Sequence, residues 1–381
     1  MRFQPIDYAE TDEHRMIRAT ARKLVATRLA PIARQLDREG RFPDEVVREF
    51  GRQGLLGLVA GEEHGGGGRD VVGAAIVAEE IAKVCTGTYT STSGHVLALH
   101  WLEAFGSPEQ KARWVPRLAR AEWLGGIAIT EPEAGSDVAA LATAAVREGD
   151  RFRVNGSKIF ITNGCVADVL VCLVRTGGAG AKGLGTLVVE TSTPGFRASH
   201  PFEKCGNRAS PTCEVSFEDC RVPVENLLGE EHGGFAQVMR LFVFERALVG
   251  VACGALSEAA LEEAVRHCST RRQFGRPIIE FQMVQQLLAE MAVDLQATKS
   301  LTRDVLRKYA AGADATVEAS ICKIFSAEAV QRVTSNAVQL LGGYGYTAEF
   351  PVERWFRDAR LFAIGGGTTQ IQKLIVARAL T

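Results

Sequence analysis

The spacing of apolar and polar positions divides the 381-residue chain into three zones. Residues 11–119 and 231–381 carry apolar side chains mostly at helical spacing, whereas residues 120–230 show short alternating or β-branched runs separated by turn signals. The pattern therefore predicts an α+β multidomain chain. It would have an N-terminal helical domain (1–119), a central β domain of barrel or sandwich type (120–230) and a C-terminal helical bundle (231–381).

Individual elements follow from the same spacing. Helices are predicted over Thr11 to Leu36, Val71 to Val84, Val96 to Phe105, Gly234 to Cys268, Val284 to Tyr309, Thr316 to Leu341 and Gln370 to Ala379. Strands are predicted over Gly126 to Thr130, Phe152 to Val154, Lys158 to Thr162, Val169 to Val174, Leu187 to Glu190 and Cys213 to Phe217. The run Ser107-Pro108-Glu109 predicts one more helix start, because serine caps a helix, proline suits the first position and an acid suits the first turn.

Charge and cysteine usage narrow the class of function. The chain has 44 basic and 45 acidic residues without a basic tail, so nucleic acid is not an expected partner. No apolar run approaches the roughly 20 residues that span a bilayer, and Met1 to Glu10 lacks the apolar core of a signal peptide. The nine cysteines form no C-x-x-C pair and are expected to be free thiols in a reducing cytoplasm.

Metal binding is not expected either. His95, His100 and the other histidines show no ligand spacing supported by carboxylates, so the sequence predicts no metal site. Tyr344 and Tyr346 are expected to be packing residues rather than acids.

A carboxylate and a guanidinium, Glu245 and Arg246, interrupt an otherwise apolar helical run from Leu241 to Val251. A buried charge is costly unless it is paired or neutralised. The pair is therefore either a satisfied ion pair or solvated helix edge, or it includes a carboxylate whose raised pKa suits a general base.

Two segments of the β zone are candidate ligand contacts. The segment from Thr130 to Asp137 follows a predicted strand and offers small residues and hydroxyls to a ligand. In the strand from Lys158 to Thr162, period-two geometry places Phe160 and Thr162 on one face. An aromatic ring beside a hydroxyl suits a flat heterocycle such as a flavin, although either segment alone also matches an ordinary turn or a core phenylalanine.

Further motifs complete the set. They are Arg271 to Ile278, Gln339 to Thr347, Pro351 to Arg360 and Gly365 to Gln372, with Phe42-Pro43 and Glu62 to Gly66 earlier in the chain. In this order, over essentially the whole chain, the motifs resemble those of the acyl-CoA dehydrogenase family. The resemblance implies an N-terminal helical domain, a central β domain and a C-terminal four-helix bundle, usually in a homotetramer, with FAD as the cofactor.

The resemblance also assigns expected roles to single residues. FAD would contact Ile129, Thr130, Gly135 and Ser136, with Phe160 stacking on the flavin and Thr162 near N5. Contacts to the FAD of a neighbouring subunit are implied for Arg271, Phe274, Gln339 and Gly343, and contacts near the adenosine half for Thr368 and Gln370. Ser136 and Arg246 match positions that contact the substrate.

One departure from the family pattern decides the expected base. Most members carry the catalytic glutamate in a Tyr-Glu-Gly-Thr segment, but the matching stretch here runs from Gly365 to Thr368 and has glycine at 366. Isovaleryl-CoA and long-chain dehydrogenases of this family place the base on the long helix, where this chain has Glu245. Glu245 is therefore the expected base, and the N–H of Gly366 is the expected oxyanion donor together with a ribityl hydroxyl of FAD.

The implied reaction is a concerted α,β-dehydrogenation of an acyl-CoA thioester to the trans-2-enoyl-CoA, with an electron-transfer flavoprotein as the acceptor. Several alternatives stay open: loss of this chemistry, an oxygen-using oxidase or monooxygenase, a dehydrogenase of carrier-protein thioesters, and a non-catalytic or nucleic-acid-associated flavoprotein. The acyl group is also open, since Val243 stands where relatives often have aspartate.

Overall fold

The N-terminal part of the chain is helical. The computed structural model describes residues 8–381, and the segment Met1 to Glu10 therefore lies largely outside the described residues. The six helices of this part are α1 (Asp12–Leu24), α2 (Ala33–Glu39), α3 (Asp44–Arg52), α4 (Val71–Ala82), α5 (Thr86–Phe105) and α6 (Pro108–Ala119). Across the described residues, none of the helices is both long enough and apolar enough to cross a membrane.

The predicted helix start at Ser107 is confirmed. The hydroxyl of Ser107 accepts a hydrogen bond from the N–H of Gln110, whose side chain in turn accepts from the N–H of Ser107. This reciprocal arrangement satisfies two backbone donors that the helix itself leaves unpaired. It fixes the direction in which α6 leaves α5.

Two helix predictions have the wrong bounds. The pattern from Thr11 to Leu36 is not one helix, because a π-helical segment (Val25–Leu29) and a turn separate α1 from α2. Helix α5 begins ten residues before the predicted Val96, at Thr86. Its first half is rich in Thr, Ser and Gly and is buried on most sides, so it shows no apolar stripe.

The central part of the chain is one seven-stranded sheet, in the order β1-β4-β2-β3-β7-β6 with β5 paired to β4. Its strands are β1 (Gly125–Ala128), β2 (Ala144–Glu148), β3 (Arg151–Thr162), β4 (Val169–Arg175), β5 (Leu184–Glu190), β6 (Phe196–Ala198) and β7 (Thr212–Pro223). Strands β2 and β6 were not predicted, because they are short and carry few buried side chains.

Strand β3 joins two runs that the sequence predicts as separate strands. Its pairing with β7 slips between Lys158 and Ile161, and Phe160 at that slip has a positive φ of 60°. Beyond the slip, Ile161 is buried while Phe160 and Thr162 keep accessible surface. The irregularity therefore turns Phe160 out of the sheet core at the position where the sequence predicts a ligand contact.

The C-terminal part returns to helix and confirms the predicted fold class. A small hairpin of β8 (Arg272–Gln273) and β9 (Arg276–Pro277) follows the first of its helices. The helices are α7 (Gly234–Thr270), α8 (Gln282–Ala310), α9 (Thr316–Leu341), α10 (Val352–Ala359) and α11 (Thr369–Arg378).

Close packing around the middle of α7 positions the site. Helix α7 contacts α8, α9, α4 and α5. At Gly250 the approach is so close that a Cβ would lie 2.6 Å from Thr302 Oγ1 on α8 and 2.7 Å from Cys322 Sγ on α9. Only glycine permits this close spacing of the helices. It brings Lys323, the residue after Cys322, near Glu245 and Arg246 on α7.

Candidate active site

Glu245 lies in the first third of α7 among buried apolar residues. Its side chain keeps some accessible surface, but Oε2 is buried and no donor among the described residues bonds to it. Burial raises the pKa of the Glu245 carboxyl, and the positive charges of Lys323 and Arg246 oppose that rise. A carboxylate in this setting gains basicity from the loss of water, as a general base requires.

The glycine loop that precedes α11 passes directly over this carboxylate. Gly366 has a φ of 65°, and a Cβ added there would overlap both carboxylate oxygens of Glu245. The N–H of Gly366 donates to no backbone carbonyl of the described chain. A free backbone donor and a basic carboxylate therefore face the same small volume.

Two buried side chains that the sequence did not single out hold this loop. Lys323 Nζ on α9 donates to the carbonyl oxygen of Gly367 at 2.5 Å. Gln372 Nε2 on α11 lies 3.3 Å from the carbonyl oxygen of Gly366 and 3.2 Å from that of Gly367. The available signal was a polar side chain inside an apolar helical run, as at Cys322-Lys323-Ile324.

Arg246 points away from the loop. Its side chain is buried, with Nη1 3.4 Å from Ser320 Oγ on α9 and its guanidinium carbon 5.7 Å from the ring centre of Phe242. Burial lowers the pKa of Arg246, and the charge of Glu245 opposes that change. Among the described residues, no ion pair joins Arg246 to Glu245, and the guanidinium instead contacts Ser320 and Phe242.

The predicted ligand loop after β1 is anchored by a buried ion pair. Lys158 Nζ lies 2.7 Å from Glu131 Oε1 and 3.1 Å from the carbonyl oxygen of Ile129. Glu131 also accepts the backbone N–H groups of Ala142 and Thr143, at 2.6 and 2.9 Å. These contacts hold the loop by its buried side, so that its other side stays accessible.

That accessible side carries the donors expected for a bound dinucleotide. The backbone N–H groups of Thr130, Gly135 and Ser136 donate to no backbone carbonyl of the described chain, and all three residues keep accessible surface. Phe160 is 65% exposed, and its ring lies 5.7 Å from that of Phe202. Unpaired donors beside an open aromatic face are what a flavin with its pyrophosphate needs, and the residues present therefore fit FAD.

Helix α5 connects this face with Glu245. A Cβ on Gly94 would lie 3.2 Å from Thr162 Cγ2, so the helix packs tightly against the end of β3. Five residues earlier, Tyr89 donates from its hydroxyl to the carbonyl oxygen of Leu248 on α7 at 2.8 Å. Burial raises the pKa of Tyr89, and the charge of Glu245 adds to the rise. Five helical residues span about 7.5 Å, so Thr162 and the turn of α7 at Leu248, three residues after Glu245, flank one short stretch of α5.

The remaining predicted residues form two groups. Thr368 directly follows the glycine loop and caps α11, with its hydroxyl accepting from the N–H of Ile371 at 3.3 Å, and Gln370 is exposed in the first turn. The second group lies on the surface of the C-terminal helices. Its exposed members are Arg271, Phe274, Gln339 and Gly343.

Within the second group, the structure brings two predicted segments together. The guanidinium carbon of Arg271 lies 5.8 Å from the ring centre of Tyr344, next to Gly343. Phe274 forms the tip of the β8–β9 hairpin and is 93% exposed. Tyr344 thus contacts Arg271 but is 48% exposed, and Tyr346 is 88% exposed, so neither is packed inside the described chain, contrary to the expectation from the sequence.

One cluster was not expected from the sequence. His64 Nδ1 lies 3.9 Å from Glu63 Oε1 and 3.8 Å from Glu103 Oε2, so a histidine does have carboxylates around it. Arg69 bonds to both carboxylates, with Nη2 2.7 Å from Glu103 Oε1. The guanidinium already supplies the positive charge at this place, and the cluster is an ion-pair network.

Comparison with known proteins bears on the whole chain. Three family models match it in order: acyl-CoA dehydrogenase N-terminal domain over residues 11–122, middle domain over 126–220 and C-terminal domain over 232–381. The chain belongs to the acyl-CoA dehydrogenase family. The family consists of FAD-dependent flavoprotein oxidoreductases that act on CH–CH bonds, which confirms the predicted enzyme class and cofactor.

Three relatives of this acyl-CoA dehydrogenase family member show how closely it follows the family. It is 39% identical over 376 residues to the short-chain specific acyl-CoA dehydrogenase of Clostridium acetobutylicum, covering 98% of this chain and 99% of that one. The structure of butyryl-CoA dehydrogenase from Megasphaera elsdenii matches with a TM-score of 0.95 and 34% identity, covering 100% of both chains. A structure described as the electron transferring flavoprotein of Acidaminococcus fermentans matches with a TM-score of 0.95 and 36% identity, covering 100% of this chain and 99% of that one.

Proposed function

We propose that this protein catalyses the α,β-dehydrogenation of an acyl-CoA thioester to the trans-2-enoyl-CoA, with Glu245 as the base that removes the α-proton. The observation that carries the proposal is the overlap of a Gly366 Cβ with the Glu245 carboxylate. A glutamate of the family's usual Tyr-Glu-Gly-Thr segment would start from that point. In this chain the carboxylate of Glu245 reaches the same volume from α7. The proposed arrangement is that of the family subgroup that includes the isovaleryl-CoA and long-chain dehydrogenases.

The chemistry of the site follows from two neighbouring groups. Glu245 takes the α-proton onto its carboxylate, helped by a pKa that burial raises. The negative charge that develops on the thioester oxygen would be met by the free N–H of Gly366. Glycine supplies this donor as well as any other residue does, while leaving room for the carboxylate.

FAD would be held by Ile129, Thr130, Gly135, Ser136, Phe160 and Thr162, and by Thr368 and Gln370. When bound, it supplies the acceptor for the hydride that leaves the β-carbon. The packing of Thr162, and of the α7 turn that follows Glu245, against one stretch of α5 supports this arrangement, because the α- and β-carbons of the substrate would then lie between base and acceptor. Ser136 and Arg246 are the proposed substrate contacts from the protein.

We also propose a homotetramer in which Arg271, Phe274, Gln339 and Gly343 reach the FAD of a neighbouring subunit. Their exposure supports this assignment, and so does the aromatic tip at Phe274, which stays 93% exposed although its ring lies 6.1 Å from that of Phe281. An electron-transfer flavoprotein is the proposed acceptor, on the strength of the Acidaminococcus fermentans likeness. The nine free cysteines support a cytoplasmic location.

The experiment is an anaerobic titration of the FAD-loaded protein with a panel of short, branched, long, cyclic and dicarboxylic acyl-CoAs, followed by flavin absorbance. Bleaching by at least one class is expected. Glu245→Gln should bind the same thioester but slow bleaching on the order of 100-fold or more, since it keeps the shape and removes the base. Glu262→Gln is the matched control: it lies on the same helix, is exposed and should bleach at the normal rate.

Other outcomes identify the alternatives. Normal bleaching by Glu245→Gln would refute the assigned base. Absence of bleaching with every acyl-CoA, but bleaching with an acyl group on a carrier protein, would replace the substrate class. Rapid reoxidation in air with release of peroxide would identify an oxygen-using relative.

A further inference from the structure

Lys323 is one of the largest fully buried side chains of the protein. Its ammonium has three donors, and the hydrogen bond it makes within the described residues is the one to the carbonyl oxygen of Gly367. Burial lowers the pKa of Lys323, and Glu245 is the foremost of the charges that oppose this change. A buried cation held by one carbonyl is costly to the fold, unless its charge serves something nearby.

The same side chain bears on both halves of the catalytic geometry, through a hydrogen bond to the loop and through its charge. Through Gly367 it fixes the loop whose preceding residue, Gly366, presses against Glu245. Its charge also opposes the effect of burial on Glu245 more strongly than the charge of Arg246 does. This difference agrees with the geometry, because the Arg246 guanidinium turns toward Ser320 and Phe242.

We propose that Lys323 is a positioning residue of this active site, which holds the Gly366–Gly367 loop over Glu245 and sets the electrostatic environment of that carboxylate. The inference rests on the proposed role of Glu245 as the base. Lys323 itself touches neither substrate nor cofactor in this assignment. It acts through Glu245 and through the loop.

The other groups that face Glu245 do not replace this charge. Arg246 is the next residue on α7, but its guanidinium turns toward Ser320 and Phe242. Tyr89 comes from α5 with a pKa that burial raises, so its phenol stays neutral. Cys253 lies near Lys323, and burial raises the pKa of its thiol as well. Removing Lys323 therefore leaves Arg246 as the remaining cation beside the base.

The test uses Lys323→Met and Lys323→Gln, which remove the charge, and Lys323→Arg, which keeps it. Glutamine also keeps a donor for Gly367 O, so it separates the charge from the hold on the loop. Lys299→Met is the control, because Lys299 is another buried lysine of the C-terminal helices and pairs with Glu258 at 3.1 Å. Circular dichroism first establishes that each variant is folded.

The readout is the titration of Glu245 in the substrate-free protein, taken as the infrared carboxyl band that Glu245→Gln lacks. Loss of an opposite charge should move the midpoint upward by about 1 pH unit or more in Lys323→Met and Lys323→Gln, and leave it unchanged in Lys323→Arg and Lys299→Met. The pH at which the flavin-reduction rate rises to half of its maximum should move by the same amount. An unchanged midpoint in both neutral variants would refute the inference.

Failure of this inference differs from failure of the proposed function. If Glu245 is not the base, Glu245→Gln reduces flavin at a normal rate, whatever the midpoints are. If Glu245 is the base but Lys323 plays no part, Glu245→Gln is inactive while both neutral Lys323 variants titrate and react like the wild type.

Discussion

The ammonium of Lys158, which has no exposed surface, lies 2.7 Å from the carboxylate of Glu131. The pair joins strand β3 to the loop that follows β1, and Glu131 extends the connection to the backbone of Ala142 and Thr143. Three chain segments that converge on the proposed FAD site thus depend on one buried carboxylate with three donors. Desolvation of both charges is offset by these bonds only while every partner is present.

Lys158→Met should therefore lower the free energy of unfolding by about 3–5 kcal/mol, because it leaves Glu131 buried without its charged partner. The loop from Ile129 to Ser136 should loosen as well, so FAD should be retained less well. Denaturant unfolding and the flavin-to-protein absorbance ratio measure the two effects. Arg153→Met, on the same strand, removes a surface pair with Glu148 and should cost about 0–1 kcal/mol without loss of flavin. Equal losses of unfolding free energy in Lys158→Met and Arg153→Met would contradict this role of the buried pair.

Glycine at position 366 should be necessary for activity. In Gly366→Ala the added Cβ meets the Glu245 carboxylate and also forces alanine into a positive φ, so displacement of the base should slow flavin reduction on the order of 100-fold. Gly149→Ala separates the two causes, because Gly149 has a similar φ of 64° and open space around it. That control should lose some stability and keep its rate. A Gly366→Ala enzyme with the normal rate would show that the carboxylate does not occupy this volume.

The carboxylate should be transferable between the two positions. Glu245→Gly alone removes the proposed base and should slow flavin reduction on the order of 100-fold or more. Adding Gly366→Glu to it places a new carboxylate at the start of the same volume, and the double variant should recover part of the lost rate. Anaerobic stopped-flow reduction with the substrate found in the panel measures all three proteins. No recovery in a folded, FAD-loaded double variant would argue against spatial equivalence of the two acids.

The pH dependence of the flavin-reduction rate should reflect the titration of the buried carboxyl of Glu245. Burial raises the pKa of Glu245 above 4.5, and the base acts only when it is ionised. The rate of flavin reduction should therefore rise with pH through a midpoint above 4.5, and it should be lost as the pH falls through that midpoint. Rate constants measured across the acid range, under conditions where circular dichroism shows the fold intact, give the midpoint. A midpoint at or below 4.5 would mean that the positive charges outweigh burial.

The exposed tip of the β8–β9 hairpin should hold subunits together. Phe274→Ser removes apolar surface proposed to be buried against a neighbouring subunit, so the assembly should weaken and FAD should be lost with it. Light scattering and flavin absorbance measure both. Met16→Ser is the control, since Met16 on α1 is also an exposed apolar residue, at 71%, but lies outside the proposed interface. Unchanged mass and flavin content in Phe274→Ser would remove the hairpin from the interface.

Prediction from sequence succeeded where a regular pattern decided the structure. Helix α9 has the predicted bounds, Thr316 to Leu341, because its apolar positions repeat at helical spacing. The first half of α5, from Thr86 to His95, was missed because its small and hydroxylated residues pack on several sides at once. Strand β3 was split in two because the slip around Phe160 breaks the alternation on which the prediction rests.

The site was only partly accessible to the same reasoning. The neighbourhood of Glu245 and Gly366, far apart in sequence, was expected from family resemblance, and the structure places the two residues together. Lys323 was not singled out although it interrupts an apolar helical run, and Gln372 was named only as the end of the Gly365 to Gln372 motif, because a hydrogen bond to a loop carbonyl is not written in the sequence. The Glu63, His64 and Glu103 cluster was missed for the same reason, since a fold contact rather than a spacing brings Glu103 in.

A side chain at position 366 would overlap the carboxylate of Glu245. The residues at positions 245 and 366 therefore cannot vary independently in evolution. A descendant that gains a bulky residue at 366 must first give up the extended acid at 245, and a descendant that loses the acid opens the space for its replacement. Related chains should therefore carry one acid shared between the two positions. A search that looks for the catalytic glutamate in the loop alone would pass over Glu245, whose carboxylate lies against Gly366.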